Sequence, residues 1–176
     1  MKNRPAFHLY PVSGPGRVPE REKESRREER EVLDILPVMG VYNYTMDAKN
    51  RIFIPAKHRE ALGSPLVVYP SIRSKSLKLC SLDEWRHITE KLSALPVRER
   101  ESIMRFFNRM GDSLVPDSQG RVTLKSDLVE YAGLSGGIVI VGCGQNAEIW
   151  SAEGYAALTA AEDLEAMRTA AENADV

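Results

Sequence analysis

Two arginines, Arg51 and Arg121, each stand four residues after an aspartate, Asp47 and Asp117, and each opens a short apolar run. A guanidinium is a flat fork of N–H donors whose natural counterpart is a phosphate or a carboxylate. The two stretches, Asp47-Ala48-Lys49-Asn50-Arg51 and Asp117-Ser118-Gln119-Gly120-Arg121, share the pattern D-x-x-[N/G]-R at an offset of 70 residues. Two chemistries fit. In one, the arginines meet an external anion, with phosphate the obvious candidate. In the other, each pairs with its own aspartate and staples its own turn. The two are compatible.

Other chemistry is poorly supplied. His8, His58 and His87 have no acid or nucleophile motif beside them, and no G-x-S-x-G, H-E-x-x-H or Walker sequence occurs. Glu60 and Glu130 occupy equivalent places, but carboxylates repeated in a duplicated scaffold read as surface helix residues rather than as an acid and base. Cys80 and Cys143 lack a C-x-x-C partner or a neighbouring histidine and read as small buried hydrophobes in a reducing cytosol. Gly142-Cys143-Gly144-Gln145-Asn146-Ala147 fits the dinucleotide-binding pattern, which requires a helix opening on it. Here Glu148-Ile149-Trp150 aligns instead with the strand Lys78-Leu79-Cys80. The expectation is no enzyme, no cofactor, no metal and no small-molecule substrate.

The elements that position the arginines follow from the duplication. Without a gap, the same offset lays Gly63 on Gly133, Leu79 on Ile149, Ser81 on Ser151 and Trp85 on Tyr155. Each D-x-x-[N/G]-R is a tight hairpin tip: the aspartate bonds its own backbone two residues on, and the fourth position suits positive φ. Alternation from Val41 to Met46 predicts a half-buried strand before the first tip, and Ile52 and Ile54 share one face of the return strand. Pro55 opens a short helix ending at Gly63, with Lys57, His58 and Arg59 on its outside. Leu66 to Tyr69 and Leu77 to Cys80 are strands joined by a basic turn, Ile72 to Lys75. Ser81-Leu82-Asp83-Glu84 is a capping box opening a helix with Trp85, Ile88 and Leu92 on one side. After Pro96 a second helix places Ile103, Phe106, Phe107 and Met110 at helical spacing among Arg98, Arg100, Arg105 and Arg109. Intervening acids and the clustered aromatics favour docking of its Phe face on a neighbour over a DNA helix. The second copy repeats the plan: a strand at Leu114 to Pro116, the tip, a helix to Gly133, then strands Ile138 to Val141 and Ala147 to Trp150. An Ala-rich packing or assembly helix runs from Ser151 to about Ala171.

The 176 residues, net charge −1 and 43% hydrophobic content suit one compact domain or two joined halves. Charge by segment is more telling. From Asp47 to Lys78 seven basic residues oppose two acids, whereas from Asp117 to Tyr155 two basic residues oppose five acids. The first copy is the expected anion-facing side and the second mostly scaffold. Residues 1–38 differ in kind: Pro11, Pro15 and Pro19, then near-unbroken alternating charge from Glu20 to Glu31, read as a disordered arm followed by at most a solvated helix. Met39 is a candidate alternative translation start. No run approaches membrane-spanning length, and the N-terminus has no signal-peptide core.

These residues resemble the MraZ family. The resemblance rests on Asp47 to Arg51 followed by Ile54-Pro55-Ala56-Lys57-His58-Arg59-Glu60, on Asp117 to Arg121, on Glu130-Tyr131-Ala132-Gly133-Leu134, and on Val139-Ile140-Val141-Gly142 leading to Glu148-Ile149-Trp150-Ser151. It covers about residues 39–155. It implies an α+β fold in which two tandem SpoVT-AbrB-like repeats form a double swapped-hairpin β-barrel with flanking helices. The expected division is an N-terminal extension (1–38), a first repeat with a helical insert (39–110), a second repeat (111–155) and a C-terminal helix or tail (156–176). The resemblance further implies a cytoplasmic, nucleoid-associated transcriptional regulator of the cell-division and cell-wall gene cluster. Such a protein forms a homo-oligomeric ring on tandem repeats of double-stranded DNA. By motif, Lys49, Asn50 and Arg51 fall in the principal DNA-contacting loop, Arg121 is its partner in the second copy, and Arg59 is a further candidate phosphate contact. Asn50 replaces the usual Gly, and Lys125 replaces a Pro common at that helix start. The alternatives are an antitoxin-like binder of the related fold and a ring-forming interaction protein that does not bind DNA.

Overall fold

The computed structural model describes residues 37–174, so the arm expected over residues 1–38 lies outside it except at its last two positions. The strands are β1 (Val41–Thr45), β2 (Arg51–Phe53), β3 (Leu66–Pro70), β4 (Leu77–Ser81), β5 (Asp112–Leu114), β6 (Arg121–Thr123), β7 (Gly137–Gly142) and β8 (Asn146–Ser151). The helices are α1 (Ala56–Leu62), α2 (Leu82–Ser93), α3 (Val97–Met110), α4 (Ser126–Tyr131), α5 (Ala152–Ala160) and α6 (Leu164–Asn173). Each is placed by local chemistry. Gly63 ends α1 at φ 72°, Ser81 caps α2 by accepting from the Glu84 N–H at 3.0 Å, and Pro96 and Gly111 bracket α3.

The architecture is mixed α+β. Six strands form one antiparallel sheet in the order β1-β7-β8-β4-β3-β5, and β2 pairs with β6 in a separate two-stranded ribbon. With β1 and β5 at its two edges, the sheet is open rather than the single closed one expected. The copies interleave: β1 of the first pairs with β7 of the second, and β5 of the second pairs with β3 of the first. Their registers are equivalent, Tyr44 opposite Ile138 matching Leu114 opposite Leu66. Neither copy therefore completes the sheet alone: β1 covers the outer edge of β7 and β5 that of β3.

The gapless alignment is corrected in one strand. The register equates Leu66 with Ile138 while β2, β4 and the tips keep the offset of 70. Gly136 and Gly137 lengthen the connection into β7, and the β7–β8 turn is correspondingly shorter than the β3–β4 turn. The two changes cancel, so the alignment returns to register at β8.

One face of the sheet and the ribbon share the core. Leu66, Val68, Leu77, Leu79, Ile138, Ile140 and Ile149 pack with Ile52, Ile54, Val122 and Leu124, and Leu62 and Leu128 come from the short helices. Each such side chain contributes about 1.5–3 kcal/mol by leaving water. On the opposite face, Val67, Tyr69 and Cys80 are covered by α2 and α3, whose Phe107 meets the Tyr69 ring at 5.2 Å and the Trp85 ring at 5.8 Å. The Phe face of α3 thus docks internally, as its spacing predicts.

Four local expectations are corrected. Val38 is 2% exposed and bridges Gly144 in both directions, at 2.7 and 2.9 Å, so the fold begins before Met39. The strand expected at Leu114 to Pro116 is Asp112–Leu114, and Val115 is exposed. The single C-terminal helix is two, because Asp163 accepts from the N–H groups of Glu165 and Ala166 at 3.0 Å and starts a new one. Cys143 is exposed, whereas Cys80 is buried with its thiol pushed up to about 12 by desolvation.

Candidate nucleic-acid interface

The two hairpin tips have the same hydrogen-bond scheme. In the first, Asp47 Oδ1 accepts from the N–H groups of Lys49 and Arg51, both at 2.9 Å, and Oδ2 accepts from Arg51 Nε at 2.6 Å. In the second, Asp117 Oδ1 accepts from Gln119 and Arg121 N–H at 2.9 Å, and Oδ2 takes Arg121 Nε at 3.0 Å and Nη2 at 2.9 Å. Asn50 and Gly120 occupy the positive-φ position at 56° and 80°. An aspartate opens each tip because its carboxylate reaches N–H groups two and four residues on, which no neutral side chain satisfies as well. The Arg51 and Arg121 backbone N–H bonds are the largest cause holding the Asp47 and Asp117 carboxyls below their ordinary range.

Both arginines therefore staple their turns. Arg51 uses Nε for this, at 2.6 Å from Asp47 Oδ2. Both side chains remain more than one-third exposed. Lys49 is exposed beside Arg51.

The tips are fixed to one another. The Ile54 N–H donates to the Gly120 carbonyl and the Leu124 N–H to the Asn50 carbonyl, each at 2.9 Å. Between them β2 and β6 pair with Ile52 opposite Val122. The two guanidinium-bearing turns are thus ends of one short rigid ribbon rather than independent loops.

Helix α1 differs from expectation. Lys57 is exposed, but His58 is fully buried and Arg59 is partly so. Arg59 Nε donates to the Ile54 carbonyl at 3.1 Å, and its guanidinium carbon lies 5.8 Å from the centre of the Phe53 ring. A Cβ on Gly120 would stand 2.7 Å from that same carbon. A charge counted with the first copy thus lies against the tip of the second. This contact requires glycine at 120, whereas Asn50 retains a side chain. The sequence signal for His58 was available, because the repeat lays it on Leu128, itself fully buried.

His58 Nε2 donates to the Met39 carbonyl at 3.1 Å, the Tyr42 ring packs on its edge at 5.1 Å, and Nδ1 has no partner among the described residues. Desolvation is the main cause that lowers its pKa. Of the other basic residues in the first segment, Lys78 is held in an ion pair by Glu148, and Lys75 Nζ lies 4.9 Å from the centre of the Tyr131 ring. Gly142-Cys143-Gly144 leads into strand β8, not into a helix.

Among the described residues no helix is long and apolar enough to cross a membrane. A family model described as "MraZ protein, putative antitoxin-like" matches residues 38–108 and again 111–176. Similar curated proteins include one from Carboxydothermus hydrogenoformans, 43% identical over 121 residues that span 65% of this chain and 81% of the relative. Another, from Leuconostoc mesenteroides, is 38% identical over 126 residues, 69% of this chain and 86% of the relative. A third, from Caldanaerobacter subterraneus, is 38% identical over 118 residues, 66% of this chain and 82% of the relative. All three bear the name transcriptional regulator MraZ. With both repeats matched over most of its length, the chain belongs to the MraZ family.

Proposed function

We propose that this chain is a cytoplasmic, nucleoid-associated transcriptional regulator that binds double-stranded DNA through its paired hairpin tips. Its targets are tandem promoter repeats of the cell-division and cell-wall gene cluster. In this reading the open sheet and the β2–β6 ribbon are the two layers of a swapped-hairpin barrel, and several chains assemble into a ring. The observation that supports it most is the pair of tips. Two turns with one hydrogen-bond scheme are locked to each other, and each holds a partly exposed arginine in a fixed direction. A guanidinium oriented by a carboxylate loses little freedom when it meets a phosphate or a guanine edge. Lys49 adds charge at the first tip, the Asn50 side chain lies at its turn, and Arg59 lies against the second tip.

The test starts by recovering chromosomal fragments on the purified protein. Affinity of Arg51→Ala and Arg121→Ala for a recovered duplex is then measured by fluorescence anisotropy at two salt concentrations, with circular dichroism as the folding control. Arg51→Ala is expected to lose specific binding, at about 1–3 kcal/mol per site multiplied by avidity across the ring. Arg121→Ala is expected to lose less. Wild-type affinity and salt slope in folded Arg51→Ala, or a greater loss in Arg121→Ala, overturns the assignment. Failure of the wild type to retain DNA favours an interaction protein instead.

A further inference from the structure

The two tips share a hydrogen-bond scheme but differ at the residue that turns the chain. Every other positive-φ residue among those described is a glycine, and Asn50 alone carries a side chain there, at φ 56°. A Cβ in that region costs backbone energy that glycine avoids, although asparagine bears it better than most residues. Gly120 forms the same turn at the equivalent place without any side chain. The turn does not require the amide, so the reason for it lies outside the turn.

The main chain of Asn50 is fully committed. Its N–H donates to the Asp47 carbonyl at 3.0 Å, and its carbonyl accepts from the Leu124 N–H at 2.9 Å. The side-chain amide, by contrast, has no hydrogen-bond partner among the described residues, and Asn50 is partly exposed between exposed Lys49 and partly exposed Arg51 in the chain. The second tip has no such group and little room for one. A Cβ on Gly120 would stand 2.7 Å from the guanidinium carbon of Arg59, so an amide there displaces that charge. The second tip thus offers the guanidinium groups of Arg59 and Arg121, which only donate, whereas the first adds a group that both donates and accepts.

That difference matters at a base edge. Donors alone suit a phosphate or the O6 and N7 acceptors of guanine, but the major-groove edge of adenine presents an N7 acceptor beside an N6 amino donor. We infer that Asn50 reads an adenine there, its NH₂ donating to N7 and its oxygen accepting from the N6 amino group. This rests on the DNA-binding reading of the tips and gives it a sequence preference, carried by the first tip of each chain. Because the main chain is fixed on both sides of the amide, only the Asn50 side-chain torsions remain to be ordered on pairing.

The test uses full-length wild type, Asn50→Gly and Asn50→Asp, each selecting from a pool of random-sequence duplexes that is then sequenced, with circular dichroism as the folding control. Asn50→Gly removes the amide and the positive-φ strain together, and Asn50→Asp keeps the shape but replaces the donor. Wild type is expected to prefer adenine at one position of the site on the order of tenfold, and Asn50→Gly to lose that preference while keeping the others. Asn50→Asp is expected to move the preference at that position from adenine to cytosine, whose N4 amino group only donates. In fluorescence anisotropy, a deaza-adenine lacking N7 at that position should weaken wild type and leave Asn50→Gly unchanged. Unaltered base preferences in either folded variant, or an equal response of wild type and Asn50→Gly to the deaza-adenine, overturns the role of Asn50 while leaving DNA binding by the tips standing. A wild type that retains no duplex overturns both.

Discussion

Lys78 and Glu148 occupy the same position of the two repeats, and they form an ion pair with each other across the axis that relates those repeats. Any residue on such an axis faces its own counterpart, so an exact repeat would place like charges together. Opposite charges make the first repeat a better partner for the second than for itself. The Trp150 indole N–H donates to Glu148 at 2.7 Å and fixes the carboxylate. Glu148→Lys is expected to cost about 1–3 kcal/mol in urea unfolding, with the reciprocal double exchange, Lys78→Glu/Glu148→Lys, recovering much of it. An unchanged midpoint in the single variant refutes the role of the pair.

Gly120 has two reasons to be glycine, and they are separable. Its φ of 80° disfavours a Cβ, and Arg59 occupies the space that the Cβ would take. Gly120→Ala should destabilise by about 1–2 kcal/mol from backbone strain, with a further loss from displacing Arg59. Adding Arg59→Ala should relieve only the second part. Additive losses in the double variant show that the guanidinium does not pack there.

His58 predicts an acid-sensitive fold. Its folded pKa is held below the ordinary 6.5, so the unfolded chain takes up the proton first as pH falls. The stabilisation is complete above 6.5 and is lost as pH drops from there through the folded value. His58→Leu, which copies Leu128, should flatten thermal stability between about pH 7 and pH 5 relative to wild type. An identical slope in both proteins places the titration elsewhere.

Val38 is the first core residue among those described. A chain beginning at Met39 should be less stable than one beginning at Pro37 by about 1.5–3 kcal/mol, from one buried valine and its two bonds to Gly144. Matching urea midpoints for the two chains contradict this.

The tips were legible because their chemistry is local: Asp47, Asn50 and Arg51 act on one another within a single turn. The interleaved pairing was not legible from spacing alone, since a one-copy meander and a two-copy exchange place the same residues inward. The resemblance supplied that topology. The slip of β7 escaped because Gly136 and Gly137 are offset by a shorter turn before β8, and the motifs on either side stay aligned. His58 was misplaced because a seven-residue helix gives little periodicity and histidine reads as polar. Comparison with Leu128 would have placed it inside. Arg59 was expected on the outside of its helix; its contact with Gly120 depends on packing between the copies, which no local spacing shows.

Interleaving also governs when the chain can finish folding as it is made. Val41 pairs with Val141, so β1 waits for about 100 further residues before its partner exists. At about 5–20 residues per second of synthesis, that is a delay on the order of 5–20 s. During that interval Tyr42 and Tyr44 are in hand without the strand they will cross. A product broken off between the repeats contains one complete tip sequence but no complete sheet, and it presents a chaperone or protease with unpaired strands. Completion of the second repeat thus acts as a check on the first.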